Sequence, residues 1–291
     1  MEKTPMQIDD TKDRHSPIQP ASRFPGGARC VVCVTVHMDG PAVEAGRGQN
    51  ALGIHSRGRY AARRGVPRSL EILARHGIKA TYFMCGYDAE LYPELMREVR
   101  DAGHEIAAHG YQHEGHALGD EEPALLEKTH DILSNCLGKP PIGWCSPSGR
   151  KSHLTLPTLR RLGYRYDASE KDEDLPYLPT IDGAMVDDFI ILPNNTVSLD
   201  DAPLYVQGQA TAAEVLANWI EELHTIANGD GYIHFTVHPR AGYGSGTPAR
   251  SAAYDGFLRE AKAIPGLHFA TLSELADHCL ATPDLWRSPR A

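Results

Sequence analysis

The sequence predicts an α/β fold on a parallel sheet that closes towards a barrel, and three observations carry that expectation. Short β-branched or apolar runs alternate with stretches of helical period, a pattern that gives parallel strands joined by right-handed crossovers. A length of 291 residues would accommodate two ordinary domains, but single α/β barrels reach this size. The residues best able to do chemistry, Asp39, His109, His113, Pro147, Asp167, Asn194 and His238, fall at or just past the carboxyl ends of the expected strands. In a parallel barrel that end carries the active site.

Residues 1–28 are charged, Pro-containing and aperiodic, and read as a flexible arm or a contact that orders on assembly. Residues 30–36 form a β-branched run of buried-strand length, with Asp39 just beyond it. The Gly-rich stretch 40–60 reads as a loop too long to be idle, one that covers a site. Its Gly-x-Gly lacks the third glycine and the acidic ribose partner of a dinucleotide fingerprint. A helix over 65–76 follows, with Pro67 in its first turn and Gly77 at its end. Strands are expected at 80–85, 105–108, 143–147, 164–168, 190–193, 231–237 and 267–271. Helices are expected at 91–102, 122–137, 154–162, 212–227, 251–263 and 272–280. The domain so defined spans 29–282, and 283–291 is a short tail.

Composition narrows the function classes. Hydrophobic content of 41% and charged content of 23% are those of an ordinary globular protein. A net charge of -9 gives no basic footprint for nucleic acid or an anionic membrane. The first residues contain no apolar segment of signal-peptide type, and no apolar run is long enough to span a bilayer, so a cytoplasmic location is expected. Of the six cysteines, Cys30 and Cys33 form a C-x-x-C inside a strand-like run. Strand alternation would point those thiols to opposite faces, against a redox or zinc pair.

The chemical signal is strongest at Glu105-Ile-Ala-Ala-His109-Gly-Tyr-Gln-His113-Glu114. If the chain winds into a helical turn after Gly110, His109 and His113 share a face and can grip one metal ion. Imidazole suits zinc and similar divalent metals, and the residues near Asp39 are the best source of a third ligand. Against this stands the plain alternative of two ordinary loop histidines in a chain that holds 15.

Five segments in order carry a family pattern: Asp39 after the first strand, His109-Gly-Tyr-Gln-His113, Gly143-Trp-Cys-Ser-Pro147-Ser-Gly149, Tyr166-Asp167-Ala168-Ser169 and Thr236-Val-His238-Pro239. Over about residues 29–282 the chain resembles the polysaccharide deacetylase (NodB homology) family. It looks most like the branch holding Helicobacter-type peptidoglycan deacetylase, deacetylase-type allantoinases and cyclic imide hydrolases. The resemblance implies a deformed (β/α)7 barrel in one domain, one divalent metal and hydrolysis of a C–N bond. Zinc is the first expectation for that metal, with manganese, iron or cobalt as alternatives. By position, Asp39, His109 and His113 would be the ligands, and His238 the acid that protonates the leaving nitrogen. The branch also implies a homo-oligomer, a dimer or tetramer.

Two departures bear on the substrate. His37 stands where the family places a carboxylate base, so it is expected as base, as a further ligand or as inert. Cys145 stands where sugar deacetylases carry an Arg. Around these, Glu114 is expected to hold a ligand imidazole, Asp167 to hold His238 or a loop, and Pro147, Asn194 and Arg240 to meet the substrate. The paired carboxylates Asp187-Asp188 and Asp200-Asp201 read as solvated loop charge, and Gly242 to Gly246 as a mobile lid. The resulting expectation is a metal-dependent hydrolase of a small cyclic imide, ureide or related amide. Its alternatives are an N-deacetylase of sugar or peptidoglycan, and a catalytically silent barrel that only binds.

Overall fold

A computed structural model describes residues 23–287 except 117, 195, 196 and 230, so most of the expected arm and the end of the tail lie outside the described residues. Within them, Phe24 and Trp286 are each 2% exposed, with ring centroids 6.0 Å apart. They share an interior cluster with Val31, Tyr232 and Cys279. The packed unit therefore reaches past both expected borders, 29 and 282, because each flank supplies one large ring to the core.

Parallel strands build the main sheet: β1 (Cys30–His37), β2 (Thr81–Met84), β3 (Glu105–Ala108), β4 (Gly143–Trp144) and β5 (Tyr166–Asp167). A small antiparallel hairpin, β6 (Thr180–Ile181) and β7 (Ala184–Met185), intervenes before β8 (Ile190–Ile191), β9 (Tyr232–Val237) and β10 (Leu267–Phe269) complete the sheet. The order is β10-β1-β2-β3-β4-β5-β8, with β9 also on β1. A parallel bridge from Asp200 to Thr236 links the chain after β8 to β9, drawing the two ends of the sheet together. The result is the deformed (β/α)7 barrel expected of this sequence, in one domain.

All eight residues of β1 are buried, and their alternation divides the core in two. Val32, Val34 and Val36 face the helix layer with Leu73, Phe235 and Phe257, whereas Val31 and Cys33 face the barrel interior with Phe83 and Tyr166. Cys30 and Cys33 thus point to opposite sides, and none of the six cysteines is joined in a disulfide among the described residues. The same phase turns Thr35 and His37 inward.

The helices are α1 (Ala42–Ala45), α2 (Arg57–Tyr60), α3 (Val66–His76), α4 (Gly86–Leu91), α5 (Pro93–Asp101), α6 (Glu122–Leu137), α7 (Thr155–Arg161), α8 (Asp201–Val206), α9 (Ala212–Ala227), α10 (Pro248–Ala263) and α11 (Leu272–Ala281). They differ from expectation at three places. The helix expected over 91–102 is broken at Tyr92 (φ -131°, ψ 55°), because Pro93 disfavours helical backbone in the residue before it. The expected loop 40–60 contains α1 and α2, and α2 runs through a π-helical turn, Ala61–Gly65, into α3. Asp201 opens a short helix that the loop reading missed. No helix among the described residues is long and apolar enough to cross a membrane.

Candidate metal and catalytic site

The turn after β1 is clamped from two sides. The Asp88 carboxylate accepts the N–H groups of Gly40 and Ala42 at 2.8 and 2.9 Å. The Arg240 guanidinium donates to the carbonyls of Asp39 and Gly40 and pairs with Glu44. Between these clamps Asp39 adopts φ 44°, a left-handed conformation uncommon outside glycine. Asp39 is 2% exposed and lines the cleft at the barrel mouth. Oδ2 accepts the Tyr243 hydroxyl, while Oδ1 lies 3.7 Å from His109 Nε2 and 3.4 Å from His113 Nε2.

The two imidazoles meet without a helical turn. Gly110 has φ 68° and His113 φ 55°, so the segment is a loop that folds back on itself. Glu114 shapes it by accepting the N–H groups of Tyr111 and Gln112 at 3.1 and 2.7 Å. Gly46 admits it: a Cβ there would lie 2.2 Å from the Gln112 carbonyl oxygen. His109 Nδ1 lies 2.7 Å from the Cys145 carbonyl, an acceptor, so Nδ1 carries the proton and Nε2 keeps its lone pair.

A divalent cation fits this cluster. Ligand atoms of Asp39, His109 and His113 all lie within 4.8 Å of one another. Asp39 Oδ1 and His109 Nε2 are buried without a partner among the described residues. Two imidazole nitrogens and one carboxylate oxygen make a donor set suited to zinc-like ions. Burial would raise the Asp39 carboxyl, but His113, His238 and His109 together hold it below the usual carboxylate range. Burial, then the neighbouring His113, lowers His109 to about 4, leaving its imidazole neutral.

His238 follows β9, whose alternation aims Tyr232, His234, Thr236 and His238 into the barrel. Its Nδ1 is 2.6 Å from Asp201 Oδ1, and its backbone N–H donates to Asp201 Oδ2 at 2.9 Å. Nε2 is left facing the cluster, 3.8 Å from Asp39 Oδ2. Burial would lower the imidazole, yet the Asp201 carboxylate outweighs it and raises His238 to about 10. His37 stands between, its ring centroid 4.8 Å from that of His109 and 5.2 Å from that of His238. Burial, reinforced by His109 and His238, keeps His37 well below the usual range and neutral, with Nε2 unpartnered.

These groups line a cleft of about 490 Å³ with Arg47, Cys145, Ser146, Ser169, Lys171 and Asn194. The structure thereby gathers His37, Asp39, His109, His113, Asn194 and His238 at one place. Asp167 does not reach His238; it takes the second of its two expected roles and holds a loop, pairing with Lys151 at 2.6 Å. Four other expectations are corrected. Arg240 is 2% exposed and spent on the turn after β1, so it is not at hand for substrate. Pro147 lies under the loop against Gly110, while its neighbours Ser146, Ser148 and Gly149 line the cleft. Glu114 braces backbone and does not hold an imidazole. The segment 242–246 is a packed brace and no lid: Ser245 N–H donates to Asp201 at 2.7 Å, and a Cβ on Gly244 would lie 2.0 Å from the His238 carbonyl oxygen.

Sequence reasoning missed Asp201, Tyr243, Asp88 and Glu44. For Asp201 a signal existed: Asp200 caps α8 by accepting the Ala202 N–H, with Pro203 in the first turn, a helix start that buries the next carboxylate. The other three depend on contacts distant in sequence and leave no local pattern.

Known proteins of similar sequence and fold point to one family. The family model for polysaccharide deacetylase matches residues 58–166. The peptidoglycan deacetylase of Helicobacter pylori is 27% identical over 269 residues, which are 81% of this chain and 88% of that one. A peptidoglycan deacetylase-like protein of Gibberella zeae is 31% identical over 244 residues, 78% of this chain and 72% of its own length. A crystal structure from Mycobacterium smegmatis assigned to the polysaccharide deacetylases superposes with a TM-score of 0.80 at 30% identity, covering 92% of this chain and 95% of that one. The Puue allantoinase structure shares the fold, with a TM-score of 0.77 at 24% identity, covering 95% and 99%. From barrel, motifs and relatives together, this chain belongs to the polysaccharide deacetylase family and is a hydrolase of non-peptide carbon–nitrogen bonds.

Proposed function

We propose that the chain hydrolyses an amide bond in a small cyclic imide, ureide or related amide, using one divalent cation, zinc foremost, held by Asp39, His109 and His113. The observation that carries this is the convergence of unspent ligand atoms, Asp39 Oδ1 and His109 Nε2, beside His113 Nε2 and within reach of His238. When bound, the cation supplies Lewis acidity, which makes a water more acidic and polarises the scissile carbonyl. His37, neutral and with a free Nε2, accepts the proton that the attacking water loses. His238, protonated and fixed by Asp201, gives its Nε2 proton to the nitrogen as the C–N bond breaks. A proton passed from His37 back to His238 restores both side chains.

A cleft of about 490 Å³ is in the range of small-molecule sites. Its lining combines the neutral His37, Cys145 and Asn194 with the charged Arg47, Lys171 and Asp200, and the neutral groups suit an uncharged polar ring. The names of the relatives from Helicobacter pylori and Gibberella zeae favour a second reading, N-deacetylation of peptidoglycan or an N-acetylated sugar. One experiment separates the two: bound metal and turnover are measured on a panel of cyclic imides, ureides and N-acetyl sugars. About one metal per chain with turnover of the rings supports the first reading. Turnover of N-acetyl sugars alone moves the assignment to the second, and a chain that takes up no metal overturns the ligand set.

A further inference from the structure

A file of hydrogen bonds under the cleft fixes which way the Asn194 amide faces. The Thr35 hydroxyl has one proton, and besides Thr236 it has two acceptors within reach, the Phe235 carbonyl at 3.3 Å and His234 Nε2 at 3.2 Å. Which of the two takes the proton follows the His234 tautomer, since Nδ1 lies 3.0 Å from the Tyr232 hydroxyl and 3.3 Å from the Pro193 carbonyl. In either case Thr35 Oγ1 accepts from the Thr236 hydroxyl at 3.0 Å. Thr236, its proton spent, offers a lone pair to Asn194 Nδ2 at 3.4 Å. The amide NH₂ is thereby turned inward, and Oδ1 is left on the other side.

That oxygen is buried and without a partner among the described residues, and Asn194, 5% exposed, lines the cleft. The backbone beneath it is held as firmly as the side chain. Its N–H donates to the Glu170 carbonyl at 2.7 Å, and its carbonyl accepts from Lys171 Nζ at 2.7 Å. A buried carbonyl oxygen in a fixed position calls for a donor from the ligand, because leaving it unpaired is costly.

We propose that Asn194 is the specificity-determining residue of the cleft, its Oδ1 accepting a hydrogen bond from a ring N–H of the cyclic imide or ureide. The proposal rests on the small-ring reading above and narrows it to rings whose nitrogen carries hydrogen. Thr236 is a positioning residue, since it acts only by orienting the amide. An N-alkyl ring would bury Oδ1 unpaired and is rejected on that account.

The test compares kcat/KM for a five-membered cyclic imide with that for its N-methyl derivative, using the metal-loaded full chain. The ratio of the two cancels general damage to catalysis, and bound metal is measured on each variant. Asn194→Leu and Thr236→Val are each expected to lower the N–H preference at least about 10-fold, with wild-type metal content. Thr236→Ser, which keeps the hydroxyl, is expected to restore it. An unchanged ratio in Asn194→Leu with metal retained overturns the proposal while the small-ring reading stands. Should the wild type turn over N-acetyl sugars and no imide, the small-ring reading falls and this proposal with it.

Discussion

Asp201 holds His238 by two bonds at once, side chain to side chain at 2.6 Å and carboxylate to backbone N–H at 2.9 Å. It is 0% exposed and takes a third bond from Ser245 N–H at 2.7 Å. The imidazole is therefore fixed in ring orientation as well as charge, with Nε2 the only nitrogen left for a leaving group.

Asp201→Asn should cost activity without costing metal. The amide can accept only at its oxygen, so either the imidazole or the two backbone N–H groups, of His238 and Ser245, lose their partner. A decrease in kcat of about 10²-fold or more is expected, in line with the loss of a positioned acid. Metal content should stay at the wild-type level, because Asp201 touches none of the three proposed ligands. Loss of metal in this variant would show that Asp201 shapes the metal cluster and not the acid.

The barrel and the meeting of His109 with His113 were legible in the sequence because both rest on local signals, whereas Asp39 beside them was reached through the family resemblance. Strand and helix periods gave the α/β order, and His109-x-x-x-His113 announced itself by spacing. Even there the means differed, since the pair meets through left-handed backbone at Gly110 and His113. Roles that depend on distant contacts were not legible. Arg240 looked free for substrate because its partners, the Asp39 and Gly40 carbonyls and Glu44, lie far upstream. Asp201 looked solvated because its burial depends on the turn holding Ser245.

Metal removal should lower stability as well as activity. Without the cation, Asp39 Oδ1 and His109 Nε2 remain buried and unsatisfied. At a free metal concentration about 100 times Kd, binding adds about 2.7 kcal/mol to folding stability. Chelation should therefore lower the Tm of wild type by several degrees and leave His113→Ala, which binds weakly, almost unmoved. A Tm indifferent to chelator in a metal-loaded wild type would count against the triad.

Lys151 and Asp167 form a pair whose side chains are 14% and 0% exposed, and Asp167 also accepts the Ser169 hydroxyl. Ser169 Oγ in turn accepts Ser146 N–H at 2.7 Å, which ties the pair to the cleft wall. Lys151→Met would strand the carboxylate, whose burial already raises its pKa. A loss of about 3–5 kcal/mol in urea unfolding is expected. Lys151→Met combined with Asp167→Leu removes both charges and should recover much of that loss. Equal damage in the single and double variants would mean that packing, and not the stranded charge, is at stake.

Stability should also fall in mild acid, through two buried histidines outside the group Asp39, His109 and His113. His104 Nδ1 accepts the Ala80 N–H at 3.1 Å, a role open only to the unprotonated ring. Burial, helped by Lys79, lowers His104 to about 4, and burial with Lys171 lowers His234 to about 3. Both folded values lie below the unfolded value of about 6.5, so below that pH protons bind the unfolded chain more than the folded one. Their effect is absent above about pH 6.5 and grows as pH falls, levelling near pH 4 for His104 and near pH 3 for His234. Each can contribute a slope of up to about 1.4 kcal/mol per pH unit. Urea unfolding of wild type and His104→Gln from pH 7.5 to 4.5 isolates one of them. The variant, less stable at neutral pH, should lose less on acidification, so that the two curves converge. Parallel curves would show that His104 takes up its proton as readily folded as unfolded, and that the Ala80 bond does not hold it neutral.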